Sequence, residues 1–547
     1  MLPNTEKFIQ ALLASMSLSL SSVSFADTVH DIPFSQVKTA NGILEGEFSS
    51  GIRLFRGVPY AEPPVGDLRW KEPQPVKNWD GVRKADKFGS RPMQRPLFGD
   101  MNFRSPGMSE DCLCLNIWTP AKTGREKLPV LVYFYGGGMV GGDGSEPRYD
   151  GEALARRGIV TITVNYRLHI FGFFAHPELT GESPHKSSGN YGSMDQTAAL
   201  RWIQENISAF GGEPSRVTIA GESAGSYSVS AQMASPLSSG LFAQAIASSG
   251  SFLGLGKIPT LAEGEAGGVE FATAISAKTL KELRAMPAEQ LLNFDIDGKM
   301  PHFPEIIDSY FLPKNPKVTF ARGEQAQVPL LIGWNSEESG YQFLLDKCEP
   351  TPENFAAAVR KAHPDKADEM LKVYPASTSS EAVQAATDFA SDSFIGYSTW
   401  KFCEDQSRMG QVPVYRYMFA RPRPAMRSEM GNAVSGLAGG IIQEEDSSKP
   451  KPPPLRGAVH SADIEYAMGN LPTNRVYDWQ PDDFAVSAIF QAFYENFVKT
   501  GDPNGLGLPH WPAYLPGGKG EIMQIDVNSG IKPDTTSARY KVWETVD

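Results

Sequence analysis

The chain has 547 residues and a formal net charge of −12, from 51 Lys plus Arg against 63 Asp plus Glu. Hydrophobic residues are 41% and charged residues 21%, which excludes disordered and collagen-like chains. Four cysteines are too few for a disulfide-dense scaffold, and the acidic balance excludes a protein that binds nucleic-acid phosphates as its main role.

Residues 1–26 read as a secretory signal peptide, with an apolar and small-residue stretch from Phe8 to Phe25 and a cut after Ala26. That predicts a secreted or periplasmic protein. No later run approaches about 18 uninterrupted apolar residues, so no membrane span is expected after the cut. Gly42–Tyr60 is strand-like and opens on the turn signal Asn41-Gly42. Val130–Tyr135 is a continuous apolar run, as a strand buried on both faces requires. Ile159–Val164, Val217–Ala220, Val328–Ile332 and Val414–Ala420 repeat that character. In Asp195–Phe210, Leu200, Ile203, Ile207 and Phe210 recur at helical spacing, with Asp195 placed as the N-cap. Strands alternating with helices predict a mostly parallel sheet covered on both faces. Arg421–Arg456, with its Gly436–Gly440 and Pro452–Pro454 clusters, reads as a long surface excursion. Asn206-Ile-Ser208 matches a glycosylation sequon.

The chemistry concentrates in two glycine-rich turns. Arg216–Gly225 is a strand running into Gly-x-Ser-x-Gly and then a helical segment. In such an elbow the serine, here Ser223, sits in a strained turn that a Cβ at either flanking glycine would obstruct. A structural glycine-rich turn is the competing reading of the pentapeptide alone. Tyr135-Gly136-Gly137-Gly138 follows a buried strand and offers bare backbone N–H groups to an oxyanion. Gly137, Gly138 and the N–H of Ala224, next to the nucleophile, are the candidate donors. The same stretch fits a dinucleotide fingerprint, Gly136-x-Gly138-x-x-Gly141, but Gly141–Pro147 (GGDGSEP) breaks the helix that fingerprint needs. There is no His-Glu-x-x-His and no Cys-x-x-Cys, so no metal or other cofactor is expected.

Beyond these turns the chain resembles the type-B carboxylesterase/lipase family, the cholinesterase-like branch of the α/β-hydrolases. The resemblance rests on Arg56–Trp70 (RGVPYAEPPVGDLRW), Ser109–Asn116 (SEDCLCLN), Asn190–Gln196 (NYGSMDQ), Ser235–Phe242 (SPLSSGLF) and Ser249–Ser251 (SGS), in the family's order. It implies an α/β-hydrolase fold: a large, mostly parallel central sheet flanked by helices, a small N-terminal β-sheet and long insertions. It also implies one catalytic domain over 27–547, where length alone suggests several. Gly333–Glu338 (GWNSEE) matches the motif of the family's acid and Gly457–His460 (GAVH) that of its base. The resemblance therefore gives Ser223 as nucleophile, His460 as base and Glu338 as orienting acid, with Glu337 the competing acid. Their chain order is the one α/β-hydrolases use. Glu222 is expected to favour the imidazolium and Ser249 to support the acid; an Arg69–Glu110 ion pair is implied as structure. The remaining histidines, His169, His176, His185, His302, His363 and His510 among them, read as surface or loop residues.

Some positions depart from the family pattern. The family pairs the Cys of Ser-Glu-Asp-Cys with one upstream, where Pro92 stands here, so Cys112 and Cys114 read as buried thiols or an unusual pair. Cys348 and Cys403 could pair in an oxidising compartment. Asn102 occupies the place of the cholinesterase Trp that grips a quaternary ammonium, which argues against choline esters. Lys299–Phe303 falls near the acyl-pocket region, where a cation could receive a carboxylated acyl group; a solvated loop is the plainer alternative. The expected partner is a small-molecule ester. The competing function is a catalytically inactive, cholinesterase-like binding or adhesion protein.

Overall fold

The computed structural model describes residues 33–408, 411–443, 456–517 and 520–546. The signal segment, residues 1–26, lies outside them. Packing divides the chain into Met1–Phe34 and Ser35–Asp547, and the second unit carries every feature below.

Its frame is an 11-stranded sheet. In chain order the strands are β1 (Glu47–Ser49), β2 (Ile52–Pro59), β3 (Cys114–Thr119), β4 (Leu128–Phe134), β5 (Val160–Val164), β6 (Gly212–Glu222), β7 (Gln244–Ser248), β8 (Leu330–Asn335), β9 (Val414–Phe419), β10 (Glu521–Ile525) and β11 (Gly530–Pro533). Their order across the sheet is β11-β10-β9-β8-β7-β6-β4-β5-β3-β2-β1. Every pair from β10 through to β5 is parallel, and the outer pairs are antiparallel. A separate three-stranded sheet joins Gln36–Thr39, Gly42–Glu45 and Val82–Lys84. The strand-like stretch Gly42–Tyr60 is thus three strands shared between two sheets.

The parallel block forms because its strands are apolar on both faces. Along β4, Val130, Val132 and Phe134 enter one core while Leu131 and Tyr133 enter the other. Successive side chains of a strand point to opposite faces, so a continuous apolar run serves a sheet covered on both sides. Four helices matter for the site: α1 (Tyr191–Asn206), α2 (Ala224–Ala234), α3 (Ser379–Ser391) and α4 (Tyr397–Arg408).

Several sequence expectations are corrected here. Helix α1 begins at Tyr191, so Asp195 is not its N-cap. Asp195 is fully buried inside the helix and accepts hydrogen bonds from Arg167 N, Nε and Nη2 at 3.0, 2.8 and 2.7 Å. The helix starts early because Asn190 takes a left-handed conformation with φ 54° and turns the chain into it. Asn206 of the sequon is buried; its Oδ1 accepts from Ala40 N and its Nδ2 donates to Trp202 O, so a glycan has no room there. All four cysteines are free: Cys112, Cys114 and Cys403 are buried and Cys348 is exposed, which rules out a Cys348–Cys403 bond. Arg69 Nε meets Glu110 Oε2 at 2.7 Å. Residues 421–443 are not a simple surface loop, since Arg423, Ala433 and Gly440 are buried and a hairpin pairs Val434–Ser435 with Ile441–Ile442; residues 444–455 lie outside the described residues. Among the described residues no helix is long and apolar enough to cross a membrane.

Candidate active site

The C-terminal ends of β4 and β6 deliver two loops to one cavity of about 540 Å³, and the loop after β8 brings Glu338 against His460, which lines that cavity. Ser223 lies between β6 and α2 with φ 56° and ψ −125°, a strained conformation for a residue with a side chain. Neighbouring backbone fixes it: Ser223 N donates to Ser248 O at 2.9 Å, and its own carbonyl accepts from Ser226 N and Tyr227 N. The flanking glycines are required by contact. A Cβ on Gly221 would lie 2.4 Å from the Gly225 carbonyl, and one on Gly225 would lie 2.0 Å from Phe134 O. Strand β4 and helix α2 can therefore approach only across glycine.

After β4, the backbone N–H groups of Gly137 and Gly138 have no acceptor among the described residues, and neither does Ala224 N, the first of α2. Gly137 has φ 119°, and a Cβ there would lie 2.2 Å from Gly141 O. No helix opens in residues 136–146, which removes the dinucleotide reading.

Glu338 and His460 come together across 122 residues of sequence. His460 Nδ1 lies 2.6 Å from Glu338 Oε2. Glu338 Oε1 accepts from Ser249 Oγ and from Asn335 N, both at 2.6 Å. Glu337 does something else: its N–H donates to Ala458 O at 2.8 Å, a backbone bridge that ties the loop after β8 to the segment before His460. Asn335 Nδ2 also reaches Asp463 Oδ1 at 3.2 Å, joining the two loops from below. On the other side of the ring, His460 Nε2 lies 3.3 Å from Glu222 Oε1.

These charges shape the protonation of the site. Burial alone lowers the imidazole, but the charge of Glu222 and the hydrogen bond and charge of Glu338 outweigh it and push His460 up to about 9. Burial pushes Glu222 up to about 7, against the pull of His460. The two carboxylates therefore favour the charged imidazole, which is the form a proton-accepting base reaches as a reaction proceeds.

Residues with no motif complete the cavity. Phe98, Met101, Met139, Tyr227, Phe252 and Phe303 make its wall predominantly apolar. Phe394 packs against His460 with ring centroids 5.2 Å apart. It belongs to a π-helical turn, Asp392–Gly396, set between α3 and α4, a deviation that recurs at functional sites. Leu437 and Ala438, from the Gly436–Gly440 cluster, also reach the wall, so that cluster faces the site instead of solvent alone. His169 departs from the sequence reading, since it is buried in a short helix; His176 is a buried loop residue, and His302 is an exposed loop residue, as expected, that also lines the cavity. Lys299 does not line it. Glu305 does, and no motif in its sequence surroundings marks it.

Comparison with known proteins shows the family and the fold. The sequence matches the carboxylesterase family over residues 33–543. A fumonisin B1 esterase of Sphingopyxis macrogoltabida is 34% identical over 504 residues, covering 90% of this chain and 86% of the relative. A para-nitrobenzyl esterase of Bacillus subtilis (strain 168) is 32% identical over 521 residues, covering 92% and 97%. A solved carboxylesterase of Geobacillus stearothermophilus superposes with a TM-score of 0.76 at 29% identity, covering 93% of this chain and 100% of that one. Over nearly its whole length, therefore, the chain belongs to the carboxylesterase family, the serine carboxylic-ester hydrolases.

Proposed function

We propose that this protein hydrolyses carboxylic esters through an acyl-enzyme on Ser223. Ser223 Oγ attacks the ester carbonyl carbon while His460 Nε2 takes its proton. The carbonyl oxygen becomes an oxyanion held by the N–H groups of Gly137, Gly138 and Ala224. The C–O bond to the alcohol then breaks, and the imidazolium returns the proton to the leaving oxygen. Water repeats the sequence on the acyl-enzyme and releases the acid. Glu338 holds the imidazole tautomer, Ser249 holds Glu338, and Glu222 stabilises the imidazolium.

The observation that carries this reading is the 2.6 Å contact of Glu338 with His460, which lines the same cavity as Ser223. The test is Ser223→Ala, with His460→Ala beside it, assayed on p-nitrophenyl butyrate. Turnover falls to background while the melting temperature is kept. Wild-type turnover in either variant rejects the assigned residues, and no turnover in the wild type itself favours the inactive, binding protein with the same fold. The exported form begins at Asp27 after loss of residues 1–26, a reading supported by the sequence pattern; N-terminal sequencing of the protein recovered outside the cytoplasm tests it.

A further inference from the structure

An ester held against Ser223 must place its acyl and alcohol groups along the cavity wall, and the charges there decide which groups can be charged. The cations on this wall are already paired. Arg148 Nε meets Glu146 Oε2 at 3.0 Å, and His460 lies between Glu222 and Glu338. Partial desolvation lowers the His302 imidazole, which disfavours its charged form. No lysine is among the lining residues.

One acid is not paired. Glu305 is 4% exposed and lines the cavity beside His302, Phe303 and Pro304. Its Oε1 accepts a hydrogen bond from Ser193 Oγ on α1, while its Oε2 has no partner. The charged group acting on it is another acid, Asp308, which is itself buried. Asp308 is satisfied by Tyr310 N, Leu312 N and Ser187 Oγ, with no Lys or Arg. An open buried acceptor without a counter-cation is costly, and a donor carrying positive charge removes both deficits.

We propose that Glu305 is a specificity-determining residue that receives a primary ammonium group on the acyl or alcohol part of the ester, so that the enzyme favours amine-bearing esters. This rests on the reading of the cavity as an ester site. Burial pushes the Glu305 carboxyl up to about 8, against the hydrogen bond from Ser193. An ammonium is the ligand that makes its ionised form favourable at neutral pH. The expected charge is opposite to that drawn from Lys299, which would have selected an anionic acyl group.

The experiment compares kcat/KM at pH 7 for esters that differ only by ammonium against methyl. The acyl arm is p-nitrophenyl 6-aminohexanoate against the heptanoate. The alcohol arm is 6-aminohexyl butyrate against heptyl butyrate. The wild type prefers the ammonium ester at least about tenfold in one arm, and Glu305→Gln, which keeps shape but not charge, removes that preference. Glu305→Met serves the same comparison if the Gln variant does not fold. A wild-type ratio of one or less in both arms, or a preference unchanged in the variant, overturns the proposal. Ser223→Ala separates the two readings. If it abolishes turnover and the wild type shows no preference, only the ammonium site fails; if it leaves turnover, the esterase reading fails first.

Discussion

Replacing Glu222 by Gln removes one negative charge 3.3 Å from His460 Nε2 and keeps the side-chain volume. Two unit charges at that distance attract by about 1.3 kcal/mol in bulk water and by about 5 kcal/mol at an effective dielectric constant of about 20. Both side chains are at most 4% exposed, so the pair belongs toward the stronger end. One pKa unit is about 1.4 kcal/mol, which makes the expected fall between about 1 and about 3.5 units. The sign follows from the base role. His460 must be neutral to accept the serine proton, and its pKa is held up at about 9, so kcat/KM rises with pH until the imidazole is deprotonated. Without the Glu222 charge, the imidazole deprotonates at lower pH and the rising limb moves to about 8 or below. The plateau drops as well, because the imidazolium formed during attack loses a stabilising neighbour. The assay is kcat/KM on p-nitrophenyl butyrate from pH 5 to pH 10, corrected for spontaneous hydrolysis. A limb that stays in place, or moves to higher pH, refutes the reasoning.

Other substitutions test separate parts of the site and fold. Ser249→Ala removes one of two 2.6 Å hydrogen bonds to Glu338 Oε1, and a bond to a charged group is worth about 1.5–3 kcal/mol. Stopped assays will show kcat lowered by about 10- to 100-fold with KM little changed, as a loss of positioning requires. Gly137→Ala forces a Cβ to 2.2 Å from Gly141 O and shifts the donor loop, whereas the nearest neighbour of a Cβ on Gly138 is Val140 Cγ2 at 3.6 Å. Turnover in Gly137→Ala falls by about 10²–10³, and by less in Gly138→Ala; unchanged turnover in Gly137→Ala contradicts the donor assignment. Asp195→Ala leaves Arg167 buried without its partner, so urea denaturation will show a loss of about 3–5 kcal/mol. A loss under about 1 kcal/mol means the pair is not structural.

How much of this was legible in sequence depends on how local each signal is. The run Val130–Tyr135 encodes a strand covered on both faces, since burial on both sides needs no partner to be named. The Gly-x-Ser-x-Gly turn is local too, because its glycines exist to let Gly221, Gly225 and Phe134 touch. The start of α1 was misread. Asp195 has the chemistry of an N-cap, but its use is set by Arg167, which lies 28 residues earlier in the chain. Glu305, Phe394 and Leu437 were invisible for the same reason. They arrive from three separate segments, and nothing in their neighbours' periodicity says which cavity they will share. The histidines show the limit from the other side. His460 carried a flanking motif, while His169 carried none, and its burial depends on contacts made far along the chain, such as that of its Nε2 with Pro301 O.

The central claim is that Ser223 is the atom acylated by substrate, and covalent labelling tests it most directly. The protein is treated with a p-nitrophenyl alkylphosphonate, digested, and mapped by mass spectrometry. The account predicts a single phosphonyl adduct on Ser223, released p-nitrophenol in equal amount, and loss of esterase activity in step with labelling. It predicts no adduct in Ser223→Ala. An unlabelled Ser223 in protein that has lost its activity, or full activity after complete labelling, contradicts it.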